Sequence, residues 1–271
     1  MALFDDVFNR KMVYGMLFFN IKAVLVYPTL VDLQAKNPKM YDRWKYLSKT
    51  KYAFDMDVRH FNSGGGIDET PEYSQRIYEE NAVQHPEFNK IVAITYGTLY
   101  NDEGKIQRLL KRIVGEDEAV VIDQFLEVLK AISSDGSQST PQTFPVLCGH
   151  NIIGHDIPLL IKRFYFNRNK TAEVKELPFI LKRALNVKPW ESGIIDTVNV
   201  WKFNGFDYSS LMLIANFLDL KGDDLLTHVE LSKYYWANVG EKPSETLEFV
   251  ARQSATQTNL VVQLMNELRL A

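Results

Sequence analysis

One stretch restricts the fold of this chain more than any other: Leu147-Cys148-Gly149-His150-Asn151-Ile152-Ile153-Gly154-His155-Asp156-Ile157-Pro158-Leu159-Leu160. Phe144, Val146 and Leu147 form a short apolar run after a proline-flanked loop, which reads as a strand ending at Gly149. A helix is predicted to begin near Asp156. Pro158 falls in its first turn, where a missing N–H costs nothing, and Leu159, Leu160 and Phe164 follow at helical spacing. A strand that gives way to a helix within a few residues is the building unit of an α/β fold. It places Asn151 and Asp156 at or just beyond a strand's end, where such folds commonly carry their chemistry. A plainer role for both is open at this point: Asp156 as a helix cap and Asn151 as a turn former.

The remaining segments suit a mixed sheet. Tyr14 to Val26 is rich in β-branched and aromatic residues and reads as a buried first strand, with a break expected near Ala23. Asp32 to Tyr46 has intermittent helical spacing, and Asn62-Ser63-Gly64-Gly65-Gly66 separates it from a predicted helix over Thr70 to Asn81. That glycine run lacks the Lys-Ser or Lys-Thr pair and the strand-to-helix setting of a phosphate loop, so it reads as a plain loop. Lys90 to Leu99, a turn at Tyr100 to Gly104, and Ile106 to Ile113 extend the first strand into an antiparallel meander. Asp117 to Ile132 sets Val121, Phe125, Leu126 and Leu129 on one helical face, and Ser133 to Thr143 reads as a polar loop or short disordered segment. Leu177 to Leu185 is apolar without a decided period. Ile194-Ile195-Asp196-Thr197 is a last short strand, and helices are predicted over Ser209 to Phe217, Thr227 to Trp236 and Ser244 to Leu268. With no internal repeat and no long linker, residues 1–271 read as a single α/β domain carrying a helical insertion at about 30–85.

Composition excludes several classes. A chain of 271 residues that is 46% hydrophobic can bury a substantial core, which rules out a disordered protein. A net charge of −3 gives no global basic signature, so any nucleic-acid surface has to be local. The single cysteine, Cys148, excludes an intrachain disulfide framework and fits a reducing compartment. Asp5 and Asp6 stand where a signal peptide would be basic, and Asn20 and Lys22 interrupt the apolar run from Met12 to Tyr27. The expectation is a cytoplasmic protein without a membrane span. The histidines His60, His85, His150, His155 and His228 show no ligand pair at helical spacing, so no structural zinc site is expected. A Gly-x-Ser-x-Gly nucleophile elbow is absent.

Four segments, taken in order, resemble a bacterial family of predicted 3′-5′ exonucleases related to the proofreading domain of family B DNA polymerases. Met16-Leu17-Phe18-Phe19-Asn20-Ile21-Lys22-Ala23-Val24 is similar to the first motif, Phe-Asp-Ile-Glu-Thr. Glu79-Glu80-Asn81 through Pro86-Glu87-Phe88-Asn89-Lys90-Ile91-Val92 is similar to the entrance of the family's second strand, and Gly149 to Leu160 to the second motif. Ile195-Asp196-Thr197, with Trp201-Lys202-Phe203 and Tyr208-Ser209-Ser210-Leu211, is similar to the segment after that motif. The resemblance spans roughly Met16 to Leu268. It implies a ribonuclease H-like three-layer fold, with a mixed central sheet flanked by helices and the succession strand, strand, strand, helix, strand, helix, strand, helix.

The resemblance also implies a site in which four carboxylates hold two divalent cations, Mg²⁺ or Mn²⁺, that activate water at a phosphodiester. In this chain Asn20 stands at the first Asp position and Lys22 at the Glu position. Gln253 and Gln257 occupy the Tyr and Asp of the third motif, and only Asp156 keeps its carboxylate. The formal charge of the site thus goes from −4 to 0. Unit charges about 4 Å apart interact by roughly 4 kcal/mol at an effective dielectric near 20, so a dication facing Lys22 would meet about twice that in repulsion. A cation pair is not expected, Asp156 being the one metal ligand left; Lys22 could pair with Asp156 in the space of a metal, or swing to solvent at the strand's end. The reading is a pseudo-exonuclease that binds single-stranded nucleic acid or regulates, through His150, Asn151, Lys202 and Tyr208. Trp201, Phe203 and Phe206 are further candidates for stacking on bases, against a plainer role in the core. Two alternatives stand beside it: an active exonuclease completed by other acids such as Asp196 or Glu248, and a protein-interaction module with an empty cleft.

Overall fold

The computed structural model of the protein describes residues 16–57, 60–61, 67–68, 71–103, 105–134, 146–170, 175–186, 193–203, 205 and 208–270. Its first strand, β1 (Met16–Leu25), is buried along its whole length. Alternate side chains of a strand face opposite sides, so β1 needs a cover on both. After β1 come α1 (Leu30–Lys36), α2 (Pro38–Lys51), a two-strand ribbon of β2 (His60–Phe61) and β3 (Ile67–Asp68), and α3 (Pro71–Ala82). Asn37 ends α1 and caps α2, its side chain accepting from Met40 N–H, with Pro38 in the first turn. These helices gather around Trp44, Tyr78 and Phe88 in an apolar cluster of their own.

A single 3₁₀ turn, Pro86–Phe88, leads into β4 (Asn89–Asp102), which doubles back as β5 (Lys105–Val114). The hairpin turn is shorter than the five residues expected, because pairing continues to Asp102↔Lys105. Next come α4 (Glu118–Ser134), β6 (Val146–Gly149), α5 (Ile157–Asn167), α6 (Phe179–Asn186) and β7 (Ile194–Asp196). The chain closes with α7 (Thr197–Trp201), α8 (Leu211–Phe217), α9 (His228–Asn238) and α10 (Pro243–Leu270). The undecided apolar segment 177–185 is therefore helical over α6. The glycine run at 62–66 and residues 135–143 of the expected polar loop lie outside the described residues, while α4 continues to Ser134.

The five-stranded sheet has the order β5-β4-β1-β6-β7, antiparallel across β5, β4 and β1 and parallel across β1, β6 and β7. Helices cover both of its faces. Leu17, Phe19 and Ile21 pack on α4, α5 and α6 through Phe125, Leu160 and Leu181, whereas Met16 and Phe18 pack on α8 and α10 through Leu211, Leu260 and Leu264. Asn20 and Lys22 follow the even register and so share the α10 side. The break expected near Ala23 is a bulge: pairing with β4 shifts between Lys22 and Ala23. No described helix is long and apolar enough to cross a membrane.

Candidate functional site

β1, the end of β6 and the middle of α10 meet at one place. Gly149 ends β6 where a Cβ would lie 2.3 Å from Ile152 Cγ2 and 2.8 Å from Phe19 O, so only glycine lets the chain turn there. Asn151 follows with φ 61°, the left-handed conformation its residue type tolerates, and so shapes the turn as its plainer reading has it. Residues Ile152–Asp156 then make one wide turn in which Ile157 N–H reaches back to Ile152 O, before α5 begins at Ile157. The helix is thus entered earlier than expected and through a π turn, a feature that is frequent at functional sites. Asp156 does not cap it: its backbone is already helical and its side chain makes no capping bond.

Asp156 instead points at β1. Its Oδ2 accepts from Ile21 N–H at 3.1 Å and from Asn20 Nδ2 at 3.3 Å, and its Oδ1 faces His155 Nδ1 at 2.8 Å. A carboxylate can only accept, so His155 carries its proton on Nδ1 and turns Nε2 away from Asp156. Lys22 lies beside this group with 4% of its surface exposed. Burial lowers its pKa to about 8, against the attraction of Asp156. The Lys22–Asp156 pair does not form. The ammonium donates to Gln257 Oε1 at 2.6 Å, because the carboxylate oxygens are already taken by three nearer donors.

Gln257 is therefore in the site, and Gln253 is not. Gln253 Oε1 accepts from Leu226 N–H at 2.8 Å and its Nε2 donates to Asp224 O at 3.1 Å, so this side chain clamps the loop ahead of α9. Its place facing β1 is held by Ser254, one position on. Ser254 Oγ accepts from Thr95 N–H at 3.2 Å and lies 3.2 Å from Asn20 O and 3.3 Å from Asn20 Oδ1. Sequence reasoning misses Ser254, although Ser254, Gln257 and Thr258 stand at i, i+3 and i+4, the spacing that marks one helical face. His155 and His228 are far apart in the chain and lack helical spacing, yet the fold brings their rings to 4.7 Å, edge to face, His228 being the first residue of α9. Desolvation, then His155 and Lys22, lower the His228 pKa, while the residue as a whole keeps an exposed surface.

The other expected contacts divide. Asp196 caps α7 through Val198 N–H at 3.1 Å and holds the Asn151 turn through Asn151 N–H at 2.7 Å and Ile153 N–H at 2.9 Å. Burial raises its pKa against these three bonds. Its carboxylate serves the backbone, and Glu248 pairs with Arg112 on the exposed side of α10, so neither completes a metal set. His150, expected to touch nucleic acid, is buried instead, and burial lowers its pKa to about 4. Thr197 gives its one hydroxyl proton to Gly149 O, so His150 Nδ1 donates to Thr197 Oγ1 at 2.9 Å, and Nε2 has no partner among the described residues. Tyr208 is exposed beside it, ring centroids 6.3 Å apart. Lys202 is half-buried at the end of α7. Phe203 is exposed, Trp201 packs on the core, and Phe206 lies outside the described residues.

The donors present do not fit a two-cation centre. Asp156 is surrounded by N–H groups, an ammonium occupies the neighbouring space, and no described cluster of three or more His, Cys, Asp or Glu side chains is placed to hold a metal. Compared with family models, curated proteins and solved structures, the chain gives no match.

Proposed function

We propose that this protein is a ribonuclease H-like domain of the 3′-5′ exonuclease superfamily that has exchanged metal-dependent hydrolysis for binding single-stranded nucleic acid. The observation that carries this reading is the meeting of Asn20, Lys22, Asp156 and Gln257, drawn from three distant segments, where the resemblance would have four metal-binding carboxylates. The succession of elements supports it: with the ribbon and the helices of 30–85 set aside, three antiparallel strands, a helix, a strand, two helices, a strand and further helices come one after another. The site chemistry favours binding over cleavage. One carboxylate already engaged by three N–H donors cannot hold the cation pair that would activate water. Phe203 and Tyr208 offer exposed aromatic faces of the kind on which unpaired bases stack.

The test is a nuclease and binding assay on the purified protein. Single-stranded DNA and RNA should survive incubation with Mg²⁺ or Mn²⁺, and both should bind with an affinity that falls as salt rises. Hydrolysis that disappears in Asp156→Ala would overturn the loss of catalysis. Failure to bind either strand at low salt would overturn the nucleic-acid reading and favour a protein-interaction module.

A further inference from the structure

A carboxylate cluster binds cations because it offers acceptors alone. The Lys22–Gln257 pair offers the reverse. Lysine has three N–H donors and no acceptor, so the bond to Gln257 fixes the amide with its oxygen toward the ammonium and its NH₂ away from it. That one bond uses one ammonium proton. Among the described residues no acceptor meets the other two, and none meets the two protons on Gln257 Nε2. The neighbouring carboxylate does not absorb them, since Asp156 is occupied by Asn20, Ile21 and His155. A cation only 4% exposed, with unfilled donors, is costly unless something supplies acceptors to it. Metal ions cannot, because the ammonium repels them.

We propose that Lys22 and Gln257 form an anion site that takes a phosphate group, the group that metal ions would hold in an active nuclease. Up to four N–H donors from two fixed side chains suit a tetrahedral oxyanion with three or four oxygens better than a carboxylate with two. His228, which feels the charge of Lys22, and His155 stack beside the buried lysine, His155 partly exposed and His228 exposed. The choice of phosphate rests on the nucleic-acid reading above. Its source is either an end of a strand or free inorganic phosphate.

The experiment uses the full chain in phosphate-free buffer near neutral pH. Melting is followed with inorganic phosphate against sodium chloride of equal ionic strength. Binding is measured in parallel for one short oligonucleotide ending in a 3′-hydroxyl, a 3′-phosphate or a 5′-phosphate. Phosphate should raise the melting temperature beyond chloride, and the strand whose end fits should bind about tenfold tighter than the hydroxyl form. Lys22→Met, which keeps the length without the charge, and Gln257→Glu, which fills the donors with a carboxylate, should each erase both effects while keeping the circular dichroism of the natural protein. A phosphate effect on melting without any end preference supports the site with free phosphate as its ligand. No phosphate effect in either measurement, or an equal effect in both variants, overturns the proposal. Strand binding that persists without end preference or phosphate stabilisation sinks this site and leaves the strand-binding reading standing.

Discussion

Two buried polar clusters in this protein use similar groups to opposite ends. At the first, Glu118 at the start of α4 accepts from Ile91 N–H at 2.7 Å, Arg163 Nε at 2.8 Å, Arg163 Nη2 at 2.5 Å and Asn167 Nδ2 at 2.8 Å, so both oxygens are filled and β4, α4 and α5 are tied together. At the second, around Asp156 and Lys22, the carboxylate is filled but the cation is not. Charge alone does not separate them, since each holds one acid and one base. What differs is the pairing: Glu118 and Arg163 bond each other directly, whereas Asp156 is held by neighbouring N–H groups and Lys22 bonds the neutral amide of Gln257. An acid and a base that bond each other tie elements together, whereas a buried ammonium held by a neutral amide keeps its charge for a ligand.

The contrast is broken most forcefully at the Glu118–Arg163 cluster. Arg163→Ala removes two of the four donors to Glu118 and should cost about 3–5 kcal/mol in denaturant unfolding, since it strands a buried carboxylate. A loss under about 1 kcal/mol would mean that the cluster does not hold the fold together.

The second cluster should answer to carboxylates introduced into it. With Asn20→Asp, Lys22→Glu and Gln257→Asp together, Mn²⁺ at about a hundredfold excess over Kd should stabilise by about 2.7 kcal/mol in calorimetry, where the natural protein gains nothing. Without metal the same variant should melt lower, because the carboxylate introduced by Asn20→Asp would face Asp156 across the present 3.3 Å contact. Single replacements should recover little, since ligands act as a set. Adding Gln253→Tyr would break the loop clamp at Asp224 and Leu226. If Mn²⁺ has no effect on the triple variant, these four positions do not have the geometry of a cation site and the proposed exonuclease relationship loses its support there.

Removing the cation alone is a smaller change. Lys22→Met should stabilise the protein at neutral pH by roughly 2 kcal/mol: the drop in the Lys22 pKa from 10.5 to about 8 marks a burial cost, and the lost bond to Gln257 offsets part of it. The sign comes from proton counting. Between about pH 8 and 10.5 the unfolded chain keeps the lysine proton that the folded one has released, so natural stability should rise with pH across that window, and the variant's contribution should be flat. The same loss of the Lys22 proton should weaken phosphate binding above about pH 8, with Asp156, His155 and His228 the other titrating groups facing the site. Parallel pH profiles for the two proteins would contradict this account.

The smallest effect concerns the contact between the His155 and His228 rings. Thr227 and Glu230 form a reciprocal capping box at the start of α9, next to His228. Thr227→Ala should cost about 1 kcal/mol and loosen His228 from His155, seen as a change in the imidazole resonances of both. Unchanged His155 signals would show that the ring contact does not depend on the cap.

Much of the fold is legible from residue order where the signal is local. The end of β6 at Gly149, Pro158 in the first turn of α5, the bulge beside Ala23 and the cap at Thr227 each depend on a few neighbouring residues. The segment expected to resemble a third motif is half legible. Gln257 reaches Lys22, but Gln253, a full turn before it, bonds to the loop at 224–226, and Ser254 takes the place facing Asn20. Helical spacing narrows the choice to a turn of helix and leaves the facing residue to the way α10 packs on the sheet.

By itself, then, the sequence determined the α/β class, the course of most elements and the residue types available at Asn20, Lys22, Asp156 and Gln257. Periodicity and chain-end chemistry act over a few residues and are written directly in the order of side chains. The tertiary structure alone decided which atoms meet: Lys22 with Gln257 across 235 positions of sequence, Asp156 with Ile21 N–H across 135, and His155 with His228. Those choices result from competition among buried donors for a few acceptors, and that competition exists only once the sheet and its covering helices have brought the groups together.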